Sequence, residues 1–430
     1  MGSKYLILGA GITGLSAGMI SEADVFECAK IPGGICASYY IGLDGKKTFR
    51  RISEESYRFE VGGGHWIFGA SQEVSDIISK LSPIKSYHRK SSIYLSDIER
   101  HIPYPIQNHL YHLPGDIREK ALSEILNSKE RTVVTLADWL ESNFGKTLCE
   151  LFFFPFHELY TAGLYTKIAP QDAFKTPINK DLIIKGAREE TPSVGYNATF
   201  VYPVNGLDDL ILKMAEKCHI NYDKQVSGVD VARKEVLFAD GSVVKYENII
   251  STLPLNKMAG MVGNDTPADP YTSVLVINIG ARAGKRCPGE QWIYTPKSRA
   301  GFHRVGFYSN VDPSFLPVSS RKDGGRVSIY VEKAYPAGKK PNDREIGRVC
   351  DDTIKELKAW QFISEAEVID PTWIDIAYTW QRPNSRWREE AIGQLKSYDI
   401  YQTGRYGKWK FQGIAESITD GFNIKDIFNG

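Results

Sequence analysis

The chain reads as a mixed α/β protein: a Rossmann-like dinucleotide-binding domain joined to a second domain that carries an antiparallel sheet and a helical insertion. Three observations predict this. A glycine fingerprint, Gly9-Ala-Gly11-Ile-Thr-Gly14, follows the apolar run Tyr5-Leu-Ile-Leu8. A second apolar run, Ala23-Asp-Val-Phe26, ends on the acid Glu27. At 430 residues the chain exceeds the size at which a single core keeps growing, so two domains are expected.

Each element has its own physical reason. Consecutive apolar residues suit a strand buried on both faces, and Leu15-Ser-Ala-Gly-Met-Ile20 continues at helical spacing. Gly9 permits the tight turn, Gly11 lets backbone approach a pyrophosphate, and Gly14 lets helix and strand pack closely. Phosphates then meet the helix N-terminus, and Glu27 can accept hydrogen bonds from ribose hydroxyls. Phe59-Glu-Val-Gly-Gly-Gly-His65-Trp66-Ile-Phe68 gives a strand, a glycine turn and a short apolar run. Residues 115–165 read as helical, with Thr135-Leu-Ala-Asp138 as a capping-box start and Leu136, Trp139, Leu140 and Phe144 as plain core. Between 222 and 252, Val226, Val229 and Val231 alternate, Glu235-Val-Leu-Phe-Ala-Asp-Gly241 marks a hairpin, and Asn248-Ile-Ile-Ser-Thr252 is a returning buried strand. Four strands, Ser273–Gly280, Gln291–Thr295, Phe302–Ser309 and Arg326–Lys333, predict an antiparallel sheet. A helix over 343–360 and an extended stretch over 367–380 follow. The resulting division assigns 1–85, 195–255 and 395–430 to the dinucleotide domain, 86–194 to the helical substrate-binding insertion and 256–394 to the antiparallel-sheet domain.

Composition narrows the partners. Lys and Arg number 53 against 52 Asp and Glu, so no global field attracts nucleic acid or an anionic membrane, and any anion must be met locally. The N-terminal apolar stretch is broken by glycines and has neither a basic leader nor a cleavage region, which makes it strand and turn rather than signal peptide. No run is long enough for a membrane helix. The six cysteines, Cys28, Cys36, Cys149, Cys218, Cys287 and Cys350, form no CxxC pair and have no His at metal spacing. Free thiols in a reducing cytoplasm, and no metal, are the expectation.

Four further segments together resemble the UDP-galactopyranose mutases, flavoenzymes that interconvert the pyranose and furanose forms of a nucleotide-linked galactose. Gly63-Gly64-His65-Trp66-Ile-Phe68 is similar to that family's glycine-histidine loop beside the isoalloxazine. Ile102-Pro-Tyr104-Pro-Ile-Gln107-Asn108 resembles a nucleotide-binding segment of the eukaryotic branch. Phe302-His-Arg304-Val-Gly-Phe-Tyr-Ser-Asn310 is similar to a strand whose arginine holds the substrate diphosphate, and Gly404-Arg405-Tyr-Gly-Lys-Trp-Lys-Phe411 to a C-terminal signature near flavin and pyrophosphate. The segments run in family order from end to end of the chain.

The resemblance implies FAD, used in its reduced form, and Gly33-Gly34 after the acid tilts the fingerprint the same way. Its implied cofactor-binding set is Gly9, Gly11, Gly14, Glu27, Gly33, Gly34, Gly64, His65, Val226, Gly404 and Arg405. The implied substrate is a nucleotide-diphosphate sugar, met by Tyr104, Gln107, Asn108, His157, Arg304, Arg405 and Phe411, with His65 and Arg304 as the catalytic candidates. Flavin N5 would attack the anomeric carbon with no net redox change, after a separate reductant has charged the flavin. Fixed guanidinium groups would meet the charge on the leaving diphosphate, Arg304 first, Arg405 second and Arg382 third. The chain departs from the family where Asn and Trp flank the uracil: His157 and Thr161 stand there, so GDP is open as well as UDP. Phe411 replaces a tyrosine and has no hydroxyl to donate. Two alternatives stay open: an FAD-dependent amine oxidase or desaturase using oxidised flavin, and a non-catalytic flavin-binding protein.

Overall fold

A computed structural model describes residues 5–128, 132–170, 178–191 and 198–424. At its centre lies a five-stranded sheet in the order His219–Asn221, Asp24–Phe26, Tyr5–Leu8, Asn248–Ser251, Ile400–Gln402, every neighbour parallel. Leu6, Ile7 and Leu8 are all buried, as a central parallel strand covered on both faces requires. The chain leaves Tyr5–Leu8 through the glycine turn into the helix Ile12–Met19, whose residues 12–18 are all buried. That helix packs on Ile414–Phe422 at glycine contact: a Cβ on Gly421 would lie 2.5 Å from Ser16 Cβ.

The second large sheet has seven strands: Ile363–Thr379, Tyr271–Ala283, Arg326–Pro336, Arg304–Phe307, Trp292–Tyr294, Ser91–Leu95 and Arg100–Pro103. All pairs are antiparallel except Trp292–Tyr294 against Ser91–Leu95. The four strands read between 271 and 335 are all present in it. The hairpin 91–103, read from sequence as part of the helical insertion 86–194, instead forms the edge of this sheet. Ser91–Leu95 is buried throughout and needs a partner for its backbone groups, which Trp292–Tyr294 supplies. The boundary read between 194 and 195 lies outside the described residues.

The helical segment contains Gly115–Leu126, Leu136–Leu148, a π turn Cys149–Phe153, and Phe154–Tyr160. Thr135 and Asp138 close the capping box, each accepting from the other's backbone N–H. Leu136, Leu140, Phe144 and Leu148 form one buried stripe that packs with Ile93, Ile102, Ile106 and Leu110 of the hairpin region. Burying such side chains stabilises by roughly 1.5–3 kcal/mol each, which fixes the 104–108 loop against the helical layer. The hairpin read at 235–241 is the three-stranded antiparallel sheet Val226–Asp230, Glu235–Phe238, Val243–Lys245.

Candidate active site

A cavity of about 660 Å³ lies where the C-terminal ends of the parallel strands meet the seven-stranded sheet. In open α/β sheets this crevice, at the point where strand order reverses, is where ligands bind. Of the residues singled out in the sequence, Gly9, Gly11, Gly33, Gly34, Gly64, His65, Tyr104, Gln107, Asn108, Arg304, Gly404, Arg405 and Phe411 line it. Gly14, Glu27, Val226 and His157 do not.

The glycines differ in what they do. Gly9 has φ +97° and a Cβ there would lie 2.3 Å from Thr252 Oγ1. On Gly14 a Cβ would lie 1.9 Å from the Gly9 carbonyl oxygen, so this residue holds helix against turn and faces away from the cavity. Around Gly11 nothing lies within 4 Å of the added atom, and no side chain caps the helix that begins after it. Uncapped N–H groups aimed past an open glycine form a cradle for an anion. Glu27 sits beneath: its Oε2 accepts from Ala10 N–H at 2.7 Å and its Oε1 from Ala29 N–H at 2.8 Å. The carboxylate therefore braces the glycine loop. Val226 packs with the core around Val229 and Phe238.

On the opposite wall Gly64 gives room to Tyr330, whose hydroxyl would lie 2.5 Å from an added Cβ. His65 follows, pinned by two bonds: its N–H donates to Glu60 Oε2 at 2.8 Å, and its Nδ1, 2.7 Å from the Gly63 carbonyl, carries a proton and donates there. Buried Glu60 also accepts from Tyr202 Oη at 2.6 Å.

The two arginines are in opposite electrostatic states. Arg304 and Glu332 are directly opposed across neighbouring strands. Arg304 donates from Nε to Oε2 at 3.0 Å and from Nη2 to Oε1 and Oε2 at 2.5 and 2.6 Å. Burial pushes the Glu332 carboxyl up, but Arg304 and His303 outweigh it and hold the group at about 2. Burial keeps His303 below its ordinary value, so the imidazole 3.3 Å away is neutral. Arg405 instead donates to two carbonyls, Gln412 at 2.9 Å and Ala377 at 3.0 Å. Its guanidinium lies 4.4 Å from the Phe411 ring centre and 5.3 Å from that of Tyr378. Among the described residues no carboxylate pairs with Arg405. Arg382 is committed elsewhere, to the Ala268 carbonyl and Asp269.

At the far end Tyr104 packs on Tyr294, ring centres 4.7 Å apart. Gln107 and Asn108 are 1% and 4% exposed, and among the described residues neither Gln107 Oε1 nor Asn108 Oδ1 has a hydrogen-bond partner. Buried acceptors left open at a cavity wall fit a ligand that brings donors. Gly186, which sequence reading passed over, locks this loop: a Cβ would lie 1.9 Å from the Asn108 carbonyl oxygen. His157 lies elsewhere, its Nδ1 donating to Phe153 O at 2.7 Å among Phe156, Tyr160 and Tyr165. Burial lowers it to about 4 and leaves it neutral. Sequence reading also missed Glu332, Glu60, Tyr330 and Tyr378. The available signal was Glu332 directly after Val327-Ser-Ile-Tyr-Val331, an acid at the end of a run that reads as buried strand, where a charge needs a partner.

The fold that frames this cavity, a parallel sheet facing an antiparallel one, is shared with solved mutase and oxidoreductase structures. No family model matches the chain. The fold resembles that of a reduced UDP-galactopyranose mutase, with TM-score 0.84 and 23% identity over 99% of this chain and 96% of that one. It also resembles an oxidoreductase from Methanosarcina mazei (TM-score 0.61, 13% identity, 98% and 99% covered) and a putrescine oxidase bound to putrescine (0.58, 13%, 100% and 100%). The resemblance read from the motifs is thus borne out in the fold.

Proposed function

We propose that the chain binds FAD and, with the flavin reduced, interconverts the pyranose and furanose forms of a nucleotide-diphosphate sugar. The carrying observation is that one cavity joins the open cradle at Gly11 to the Arg304, Arg405 and Tyr104–Asn108 wall. The cradle fits a dinucleotide pyrophosphate, with Glu27 and Val226 on the adenosine side, Gly33 and Gly34 along the chain, and Gly64, His65 and Gly404 against the isoalloxazine. When bound, reduced flavin supplies the nucleophile for the anomeric carbon with no net change in oxidation state. Arg405 and Arg304 orient the diphosphate and neutralise it as it leaves. Gln107 and Asn108 accept from the base while Tyr104 stacks on it. Phe411 packs the guanidinium of Arg405 and gives no hydrogen bond. His157 acts only through the helical wall.

In this reading residues 1–85, 195–255 and 395–430 hold cofactor, and 86–194 and 256–394 hold substrate. A cytoplasmic reductant recharges the flavin. The amine-oxidase reading draws on the likeness to putrescine oxidase, but an uncompensated guanidinium at Arg405 repels an ammonium substrate. Anaerobic incubation of reduced and oxidised protein with UDP- and GDP-sugars, trapping with cyanoborohydride and mass spectrometry tests the proposal. A flavin–sugar adduct confined to the reduced sample is expected; turnover of amines with no adduct from any sugar sinks it.

A further inference from the structure

Glu332 has no part in the proposed chemistry, although three hydrogen bonds tie it to Arg304 at the site. It is 2% exposed and opposes Arg304 on the neighbouring strand. Two of the three guanidinium nitrogens of Arg304 are spent on it. Among the described residues the carboxylate's other close neighbours are Tyr378 Oη at 3.4 Å, His303 at 3.3 Å, which burial favours in its neutral form, and the backbone of Gly63, where an added Cβ would lie 3.0 Å from Oε1. Arg304 and Glu332 therefore present no net charge to the cavity, and a diphosphate that reaches Arg304 also meets a carboxylate.

We propose that Glu332 is a built-in counter-ion that competes with the substrate diphosphate for Arg304 and so limits its affinity. This rests on the nucleotide-sugar reading. Binding requires the bidentate pair to open toward one remaining bond, and departure of the nucleotide lets it close again. An arginine shared in this way grips the diphosphate less and releases the product nucleotide faster than a free one. The role is positioning and affinity-setting: Glu332 acts through Arg304. A residue that merely held Arg304 in its binding pose would have the opposite sign, because its removal would weaken the ligand.

The test is a cycle of flavin-loaded variants titrated with inorganic pyrophosphate, UDP and GDP, followed by flavin absorbance and by fluorescence of Trp66 and Trp292, both of which line the cavity. Glu332→Gln, which removes the charge and keeps the length, is expected to lower Kd by about tenfold. Arg304→Met, which leaves the carboxylate bare, is expected to raise it by about a hundredfold. The paired replacement Arg304→Met/Glu332→Met keeps apolar volume where the ion pair was, folds without a buried lone charge, and is expected to return Kd close to that of the unaltered protein. In turnover, Glu332→Gln lowers KM and lowers kcat as nucleotide release slows. Weaker binding by Glu332→Gln, or a double variant as poor as Arg304→Met, overturns the inference while leaving the nucleotide-sugar reading intact. Failure of the unaltered protein to bind any diphosphate overturns that reading, and the inference falls with it. Should Glu332→Gln not fold, the double variant measured against Arg304→Met decides alone.

Discussion

The two ends of the cavity are built on different plans. At the cradle the working parts are backbone groups and glycines within six residues of one another, Gly9 to Gly14, and the carboxylate of Glu27 is spent bracing the loop. At the opposite wall they are charged and aromatic side chains drawn from several separate stretches of chain: Arg304 with Glu332, Arg405 with Phe411 and Tyr378, His65 with Glu60. Shape is held at the first end by excluded volume and at the second by charge and hydrogen bonds. A substitution at the cradle should therefore act through sterics and one at the wall through electrostatics.

Gly14 and Gly11 give the largest expected effect and sharpen the contrast within the cradle itself. Gly14→Ala sets a methyl 1.9 Å from a backbone oxygen and is expected to cost more than about 4 kcal/mol, leaving little folded protein in urea denaturation. Gly11→Ala meets nothing within 4 Å in the protein and has an extended backbone at φ −69°. It should fold with unaltered Tm yet bind flavin at least about tenfold more weakly, since the methyl occupies the anion's place. Equal folding of both variants would break the distinction.

Glu60 comes next, as a hydrogen-bond test of the opposite wall. Glu60→Gln keeps volume but replaces one acceptor of a pair serving His65 N–H and Tyr202 Oη. A loss of about 1–3 kcal/mol is expected, with a changed spectrum for bound flavin because the His65 turn shifts. An unchanged spectrum together with lost stability would confine Glu60 to packing.

The smallest expected effect is at His157, which belongs to neither end. His157→Phe should leave nucleotide affinity unchanged. The group's folded value is lowered to about 4 from an ordinary 6.5, so the unfolded chain takes up the proton first as pH falls. Its effect on stability is absent above about pH 6.5 and becomes a growing loss down to about 4. The variant's urea midpoint should fall less steeply over that window; a nucleotide affinity that drops with the substitution would return His157 to the site.

The same contrast explains what the sequence made legible. Gly9, Gly11 and Gly14 could be read because their tasks depend on local spacing, and the strands at 5–8 and 248–251 because burial on both faces leaves continuous apolar runs. The helical stripe Leu136, Leu140, Phe144 was equally plain, and resemblance led to Tyr104, Gln107 and Arg405 at the cavity. A carboxylate partner for Arg304 could be anticipated for a strand arginine, but its identity was hidden, since it lies 28 residues away and is set by strand register. The hairpin at 91–103 was not legible for the same reason: its pairing with Trp292–Tyr294 crosses about 200 residues. His157 does not line the cavity: its Nδ1 is held by the Phe153 carbonyl at the junction of a π turn and the helix after it, a local geometry that residue spacing alone does not reveal.

The central sheet carries a consequence for how the molecule comes into being. Its first strand and its last, Tyr5–Leu8 and Ile400–Gln402, flank Asn248–Ser251 in one sheet, and Gly404 seats on Thr13, where a Cβ would lie 2.6 Å from Oγ1. On the ribosome the glycine turn emerges long before Ile400–Gln402 and Gly404, and must wait for them before the crevice has this wall. Ordering is thus dominated by long-range closure, which slows folding. The cradle's N–H groups stay exposed to water through that interval, so a ligand that bridges both walls acts as the final fastening of the assembly.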